Sequence, residues 1–366
     1  MAKAAQEKGI ELAVVGPEAA LAGGIVDHFQ SIGIPIFGPG KAAAEIESSK
    51  VFAKKLMQKH DIPCARGTSF SEYSKAKRYI EQQTPPVVVK ADGLAAGKGV
   101  TVARSIQEAT DTLYQIMEAK IFGTAGDRVV IEECLTGKEM SSFAFTDGST
   151  VIPLVSACDY KPVFDGNQGS NTGGMGSYSP PYFTSPKLDK EIAETILKPA
   201  VKALAAEKRP YRGVLYGGLM ITEDGPKVIE FNARFGDPET QVVLPLLKTD
   251  LVDIMLAIIS GNLDRIDIEW SGNACVGVVM TSGGYPGSYR TGFPISGLDS
   301  LDKDIMVFHA GTRAGTTQGQ VLSYGGRVLT VAATGKNITE AREKVYHNIS
   351  RINFEGCHYR KDIALL

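Results

Sequence analysis

Residues 228–241, Val-Ile-Glu-Phe-Asn-Ala-Arg-Phe-Gly-Asp-Pro-Glu-Thr-Gln, carry the densest set of groups able to do chemistry. The first five read as a short strand. Side chains alternate along a strand, so Glu230 and Asn232 share one face while Ile229 and Phe231 share the other. A carboxylate and an amide oxygen side by side on a buried strand are costly unless a charge faces them. Two hard oxygen ligands on one face suit Mg²⁺, which keeps several waters and takes its other ligands from phosphates. The plainer alternative is a solvated edge strand followed by a turn at Gly236, Asp237 and Pro238.

A second cluster spans residues 89–100, Val-Lys-Ala-Asp-Gly-Leu-Ala-Ala-Gly-Lys-Gly-Val. Lys90 closes a strand, and Gly93, Gly97 and Gly99 follow, with Lys98 among them. Glycines let successive backbone N–H groups turn toward an anion, and a lysine adds a mobile point charge for phosphate. The spacing is neither GxxxxGK[ST] nor GxGxxG before a helix, so a P-loop and a dinucleotide fingerprint are both excluded. A glycine-rich hairpin turn is the alternative. A third cluster, residues 130–139, reads Val-Ile-Glu-Glu-Cys-Leu-Thr-Gly-Lys-Glu. The free backbone groups of a strand end can recognise an adenine edge, and a nearby carboxylate can accept from ribose hydroxyls. Taken alone, these residues fit a solvated acidic strand end better.

These clusters must be positioned by the elements around them. Residues 11–16 and 34–39 read as strands separated by a helix over 22–31, a small parallel α/β unit. Residues 42–60 read as one helix, ended by Asp61-Ile62-Pro63. Strands are expected at 87–90, 129–133 and 140–147. Residues 159–181, rich in Gly, Asn, Ser and Pro, read as a long functional loop. Ser185-Pro186 starts a helix with an apolar stripe at Leu188, Ile192, Ile196 and Ala200. Residues 242–260 read as one buried helix. Beyond about 262 come short strands at 274–280, 305–309, 320–323 and 327–332 and a final helix over 339–352, a compact α+β module.

The 366 residues allow two or three domains, and the net charge of -2 gives no basic field calling for nucleic acid or an anionic membrane. The five cysteines are scattered with no CxxC spacing, which supports neither a zinc site nor a disulfide framework and fits a reducing compartment. No apolar leader is seen at residues 1–8, and the apolar run 242–260 is interrupted by Lys248, Asp250 and Asp253. The cytoplasm is the expected location. His28 and His60 read as surface or cap residues, Trp270 as packing, and the lysines between 187 and 208 as a solvated face.

The order of lysine, glycine loop, acidic strand end and Glu/Asn strand resembles the ATP-grasp layout. The finer motifs, Val15-Gly16-Pro17-Glu18, Asn171-Thr172-Gly173-Gly174-Met175-Gly176, Ser282-Gly283-Gly284-Tyr285-Pro286, His309-Ala310-Gly311-Thr312 and Gly325-Gly326-Arg327-Val328, resemble the glycinamide ribonucleotide synthetase family over essentially the whole chain. That resemblance implies a fold of α/β and α+β parts: a partial N-terminal parallel α/β domain (1–46), an ATP-grasp domain (47–261) whose lid subdomain covers about 64–132, and a C-terminal α+β domain (262–366). It implies ATP, glycine and 5-phosphoribosylamine as substrates, with Mg²⁺ or Mn²⁺ on Glu230 and Asn232. Lys50, Lys90, Gly93, Gly97, Lys98 and Gly99 would meet the phosphates. Glu132, Glu133, Leu135 and Glu139 would form the nucleotide hinge, with Glu139 on ribose. Asp159, Lys161, Asn171, Arg234 and Asp237 would contact the other substrates, Arg234 and Lys90 being catalytic, in a monomer.

The chain departs from the family in two places. The family usually opens earlier, with a strand, a Gly-Gly-Arg-Glu-His loop that helps bind phosphoribosylamine, and a helix; that sequence does not occur here. A nucleotide-binding but catalytically impaired form is therefore the alternative expectation, and an ATP-grasp enzyme acting on another carboxylate is a third. The segment Tyr216-Gly217-Gly218-Leu219-Met220, where a second acidic metal ligand would be expected, offers no carboxylate.

Overall fold

The computed structural model describes residues 1–95 and 99–365. It is a mixed α/β and α+β chain that divides into two compact units interleaved in sequence. One comprises residues 1–154, 185–235 and 251–267; the other comprises 155–184, 236–250 and 268–366.

The first unit opens with the expected parallel pair, Ala13–Val14 against Ile36–Phe37. The helix expected over 22–31 is interrupted at Gly23 and Gly24. Gly24 sits at φ 86°, and helices Glu18–Ala22 and Ile25–Ser31 flank it. The helix expected over 42–60 is likewise two, Lys41–Ser48 and Lys50–Lys59. Ser49 leaves helical geometry, and its Oγ accepts from the N–H of Phe52. A serine that can satisfy an orphan N–H favours a new helix start over continuation.

Two antiparallel four-stranded sheets follow in this unit. One runs in the order Gly67–Phe70, Val129–Glu133, Val87–Ala91, Val100–Ala103. Helices Tyr73–Ile80 and Ile106–Met117 supply its apolar cover, with Ala76, Ile80, Leu113 and Ile116 packed on Val87, Val89 and Ile131. The other runs Gly225–Asn232, Gly213–Thr222, Lys138–Thr146, Val151–Pro153. The helix beginning at Ser185 passes from Pro186–Ile192 through a π-helical turn, Ala193–Leu197, into Lys198–Ala206. Pro199 lies just past that turn, where its missing N–H and bulky ring disturb the regular ladder.

The second unit is built on a five-stranded sheet, ordered Ile305–His309, Arg327–Gly335, Ala274–Thr281, Gly176–Ser179, Cys158–Asp159. Helix Ile338–Ile349 packs Ala341, Val345 and Ile349 into a core with Val276, Val278 and Val331. The segment read as one polar loop over 159–181 holds strands Pro162–Phe164, Gln168–Asn171 and Gly176–Ser179. Its residues are too polar to show a periodic pattern, and in the first two strands only Val163 is buried. The helix expected over 242–260 is also broken. Thr240–Val243 passes into a 3-10 turn at Leu244–Leu246 around Pro245, in this unit, and helix Leu251–Ser260 belongs to the first unit. Its burial is one-sided, since Val252 and Leu256 are exposed.

Candidate active site

Lys90 is the centre of the constellation in the first unit. It lies on a central strand and is only 5% exposed, so its ammonium requires partners. The Nζ lies 2.7 Å from Glu132 Oε2 and donates to the backbone oxygen of Ile229 at 2.9 Å. That oxygen is available because Ile229 forms a β-bulge. Gly218 pairs with Glu230 and Leu219 with Val228, leaving Ile229 without an opposite residue. Bulges bend a strand and redirect its groups, often beside active sites. The bulge interrupts the simple alternation expected for 228–232, yet Glu230 and Asn232 still fall on one face, opposite Gly218 and Tyr216.

Glu132 is buried, and its other oxygen, Oε1, lies 2.7 Å from Nζ of Lys54, itself 2% exposed. Lys54 also donates to the backbone oxygen of Ala65 at 2.6 Å. Glu132 is thus the counterion of two lysines, neither a solvated strand end nor a carboxylate free for ribose. Lys54 was not identified from sequence, although it stands four residues after Lys50 on one helix, the spacing that puts side chains on one face.

Lys50 begins the helix Lys50–Lys59, and Asp92 organises that start. Asp92 Oδ1 accepts from Ser49 Oγ and from the N–H of Val51, both at 2.8 Å, while Oδ2 meets Arg128. The N–H of Lys50 donates to the Asp92 backbone oxygen at 3.1 Å, and its Nζ reaches the Gly93 oxygen at 3.4 Å. The Lys50 amine is held below its ordinary range: burial lowers it first, Lys90 adds to this, and Glu230, Asp92 and Glu47 oppose it. Gly93 and Gly99 are required by close approach rather than by a left-handed backbone. A Cβ on Gly93 would lie 2.7 Å from Ala125 Cβ, and one on Gly99 2.7 Å from Ala95 Cβ. Gly97 and Lys98 lie outside the described residues.

Among the described residues, Glu230 has no ion-pair partner. Nor do those residues contain a group of three His, Cys, Asp or Glu able to hold a metal alone. A carboxylate with one amide neighbour suits a divalent ion that takes the rest of its shell from water and phosphate. Gly218 leaves room for this carboxylate, since a Cβ there would sit 3.3 Å from Glu230 Cγ.

Arg234 is fixed by two acids that carried no assigned role in the sequence reading. Its Nε lies 3.2 Å from Glu18 Oε2, and its Nη2 lies 3.2 Å from Glu47 Oε1. Burial raises the Glu47 carboxyl above its usual range. Arg234 and the N–H of Ala233 pull it down, and Glu18 and Glu230 push it further up. Glu133 is tied to Arg66 through the backbone N–H and the guanidinium, each at 2.8 Å. Leu135 is half-buried in the turn after that strand, and Glu139 is exposed on strand Lys138–Thr146.

In the second unit, Asp159 and Lys161 lie 3.7 Å apart. Asn171 ends strand Gln168–Asn171 opposite Pro162. Asp237 accepts from Arg327 Nη2 at 2.9 Å and from Gln241 Nε2 at 2.9 Å. Arg327 Nη1 also donates to the backbone oxygens of Gly173 and Asp237, both at 2.8 Å. Arg327 therefore ties the 171–176 loop to the Gly-Asp-Pro turn. Its motif was noted in the sequence but its role was not, because the partners are far apart along the chain.

The comparisons with known proteins define the class first. The fold is shared with ATP-grasp enzymes. The biotin carboxylase from Campylobacter jejuni, solved as a β-γ-ATP complex, superposes with a TM-score of 0.78 at 16% identity over 99% of this chain and 79% of that one. The crystal structure of phosphoribosylamine–glycine ligase from Thermotoga maritima matches with a TM-score of 0.87 at 33% identity, covering 99% of this chain and 88% of that one. Family models match in order: the phosphoribosylglycinamide synthetase N domain over residues 1–47, the ATP-grasp (A) domain over 48–240 and the C domain over 275–366. Among relatives, phosphoribosylamine–glycine ligase of Caldanaerobacter subterraneus is 49% identical, covering 98% of this chain and 86% of the relative. That of Halalkalibacterium halodurans is 51% identical, with 98% and 83% covered. The chain belongs to the phosphoribosylglycinamide synthetase family and is an ATP-dependent ligase. The N-domain match over 1–47 favours the ligase reading over the impaired nucleotide-binding alternative.

Proposed function

We propose that the chain joins glycine to 5-phosphoribosylamine at the expense of ATP, giving glycinamide ribonucleotide, ADP and phosphate, the second step of de novo purine synthesis. The observation that carries this reading is the convergence of Lys50, Lys90 and the Glu230–Asn232 face within one compact unit. A carboxylate is a poor electrophile. An oxygen of glycine attacks the γ-phosphorus of ATP, the bond to the β-phosphate oxygen breaks, and ADP leaves. The amine of phosphoribosylamine then attacks the carbonyl carbon of glycyl phosphate, the acyl carbon–oxygen bond breaks, and phosphate departs as the amine loses a proton.

Lys90 and Lys50 offset phosphate charge, alongside Gly93, Gly97, Lys98 and Gly99. Glu132 holds Lys90 in place, and Glu133, Leu135 and Glu139 line the nucleotide's base and sugar. Glu230 and Asn232 would hold Mg²⁺ or Mn²⁺, which when bound neutralises developing phosphate charge. Arg234, oriented by Glu18 and Glu47, pairs with the carboxylate or acyl phosphate, a contact suited to its planar fork. Asp159, Lys161, Asn171 and Asp237 receive the remaining substrate groups. We assign domains 1–46, 47–261 with a lid at about 64–132, and 262–366. We place the enzyme in the cytoplasm as a monomer that engages neither nucleic acid nor membrane. Among the described residues no helix is long and apolar enough to cross a membrane.

The test is ADP release by this chain with Mg²⁺, ATP and glycine, with and without freshly generated phosphoribosylamine, while glycinamide ribonucleotide is followed by mass. Product that requires all three substrates is expected. ATP binding with no product under any combination would overturn the reading.

A further inference from the structure

The hairpin formed by Pro162–Phe164 and Gln168–Asn171 pairs with no other strand among the described residues, and its second strand is fully exposed. An isolated two-stranded hairpin is marginal in water. Val163 is the one buried side chain of the two strands and Phe164 meets the His358 ring edge-on, but Gln-Gly-Ser-Asn buries nothing, so much of the ordering falls to polar contacts. Those contacts come from the C-terminal tail.

Arg360 is completely buried. Its guanidinium grips Asp362 in a bidentate pair, Nε to Oδ1 at 2.8 Å and Nη2 to Oδ2 at 2.7 Å. It spends its other donors on the hairpin, Nη1 to the Pro162 oxygen and Nη2 to Asn167 Oδ1, both at 3.0 Å. Asp362 Oδ2 in turn accepts from the N–H of Gly166 at 2.8 Å, and Asp165 Oδ1 accepts from the N–H of Lys361 at 2.8 Å. His358 Nε2 lies 2.9 Å from the Val163 oxygen. The tail is itself anchored. His358 exchanges both backbone hydrogen bonds with Thr281 on the central strand, and Tyr346 on the final helix donates to the Arg360 oxygen at 2.7 Å.

A buried arginine with a bidentate acid is strongly specified in geometry, and it loses little freedom when it forms further bonds. We infer that Arg360 and Asp362 form a positioning clamp. Through Pro162, Gly166 and Asn167 they hold the hairpin that presents Lys161 and Asn171 in the shape that receives substrate. The inference rests on reading Lys161 and Asn171 as substrate residues.

The experiment compares Arg360→Lys, which keeps the charge but loses the fork, and Asn167→Gly, which removes one exposed hairpin partner at a φ of 56° that glycine tolerates, with the unsubstituted chain. Lys161→Ala is the control. Amide exchange of 163–171 is measured together with KM for ATP, glycine and phosphoribosylamine. Loss of one charge-assisted bond predicts about tenfold faster hairpin exchange. A comparable rise in KM for phosphoribosylamine is expected, with KM for ATP unchanged. Asn167→Gly keeps the test open if Arg360→Lys folds poorly. Unchanged hairpin exchange overturns the clamp. Faster exchange with unmoved KM overturns the positioning role, provided Lys161→Ala raises KM. If Lys161→Ala leaves KM unmoved, the substrate reading of the hairpin falls, and the exchange alone decides whether the clamp stands.

Discussion

Two side chains of the proposed nucleotide site, Glu230 and Lys50, each carry a prediction of their own. Glu230 has no ion-pair partner among the described residues, so its carboxylate does little for the apo fold. Glu230→Gln should cut Mg²⁺-dependent turnover by about a hundredfold or more, the scale on which metal-site groups act, while melting within a degree or two of the parent. Equal losses in thermal melting and activity would contradict a metal role. Lys50 behaves differently. Burial and the neighbouring Lys90 disfavour its charged form, so its folded-state pKa lies below the unfolded one. Well below that depressed value the amine is charged both in the free enzyme and beside phosphates, and nucleotide binding moves no proton. As pH rises through it, the free enzyme loses the proton while bound phosphates favour keeping it. Mg·ATP binding should therefore take up protons increasingly from neutral toward alkaline pH. Calorimetry in buffers of different ionisation enthalpy measures this, and Lys50→Met should abolish the effect. Uptake that survives in Lys50→Met would assign it to another group.

At the scale of elements, the break between helices Lys41–Ser48 and Lys50–Lys59 is what aims Lys50. Ser49 caps the second helix and donates to the buried Asp92 carboxylate. Ser49→Ala removes both bonds and should cost about 1–2 kcal/mol of stability in a denaturant titration. It should also raise KM for ATP several-fold, because Lys50 is the adjacent residue. A stability loss with KM for ATP unchanged would show that the cap is purely structural. The break also lies beyond what the local sequence records. The strands at 129–133 and 305–309 were legible to the residue, because β-branched runs leave little choice. So were the helix start at Ser185-Pro186 and the placement of Glu230 and Asn232 on one face. The Ser49 break was not legible, since a single serine inside a helical pattern becomes a cap only when Asp92, 43 residues on, accepts its hydroxyl. The same reason hid Lys54, Glu47 and Arg327, whose partners are supplied by tertiary structure. The Ile229 bulge depends on a register with Gly218 that no local pattern records.

At the scale of the whole chain, the groups proposed for nucleotide and those proposed for the remaining substrates lie in different compact units: Lys50, Lys90 and Glu230 in one, and Asp159, Lys161, Asn171 and Asp237 in the other. Both units are assembled from separated stretches of sequence, so chain order alone does not reveal which residues respond together. A ligand that binds only the folded state stabilises what it touches by mass action, by about 2.7 kcal/mol at a hundred times Kd. Saturating Mg·ATP should therefore slow amide exchange in strands Val87–Ala91, Val129–Glu133 and Gly225–Asn232 by roughly a factor of a hundred, that energy being about two powers of ten. The hairpin of Pro162–Phe164 and Gln168–Asn171 should stay near its nucleotide-free rate until glycine and a stable analogue of phosphoribosylamine are added. Protection of the hairpin by Mg·ATP alone, equal to that of the Glu230 strand, would show that the nucleotide's reach has been drawn too narrowly. It would move Lys161 and Asn171 from the amine substrate to the nucleotide. Protection appearing only with the analogue would keep the two groups of residues on the separate tasks their chemistry suits, lysines and a Glu/Asn face for phosphates and a polar hairpin for the sugar amine.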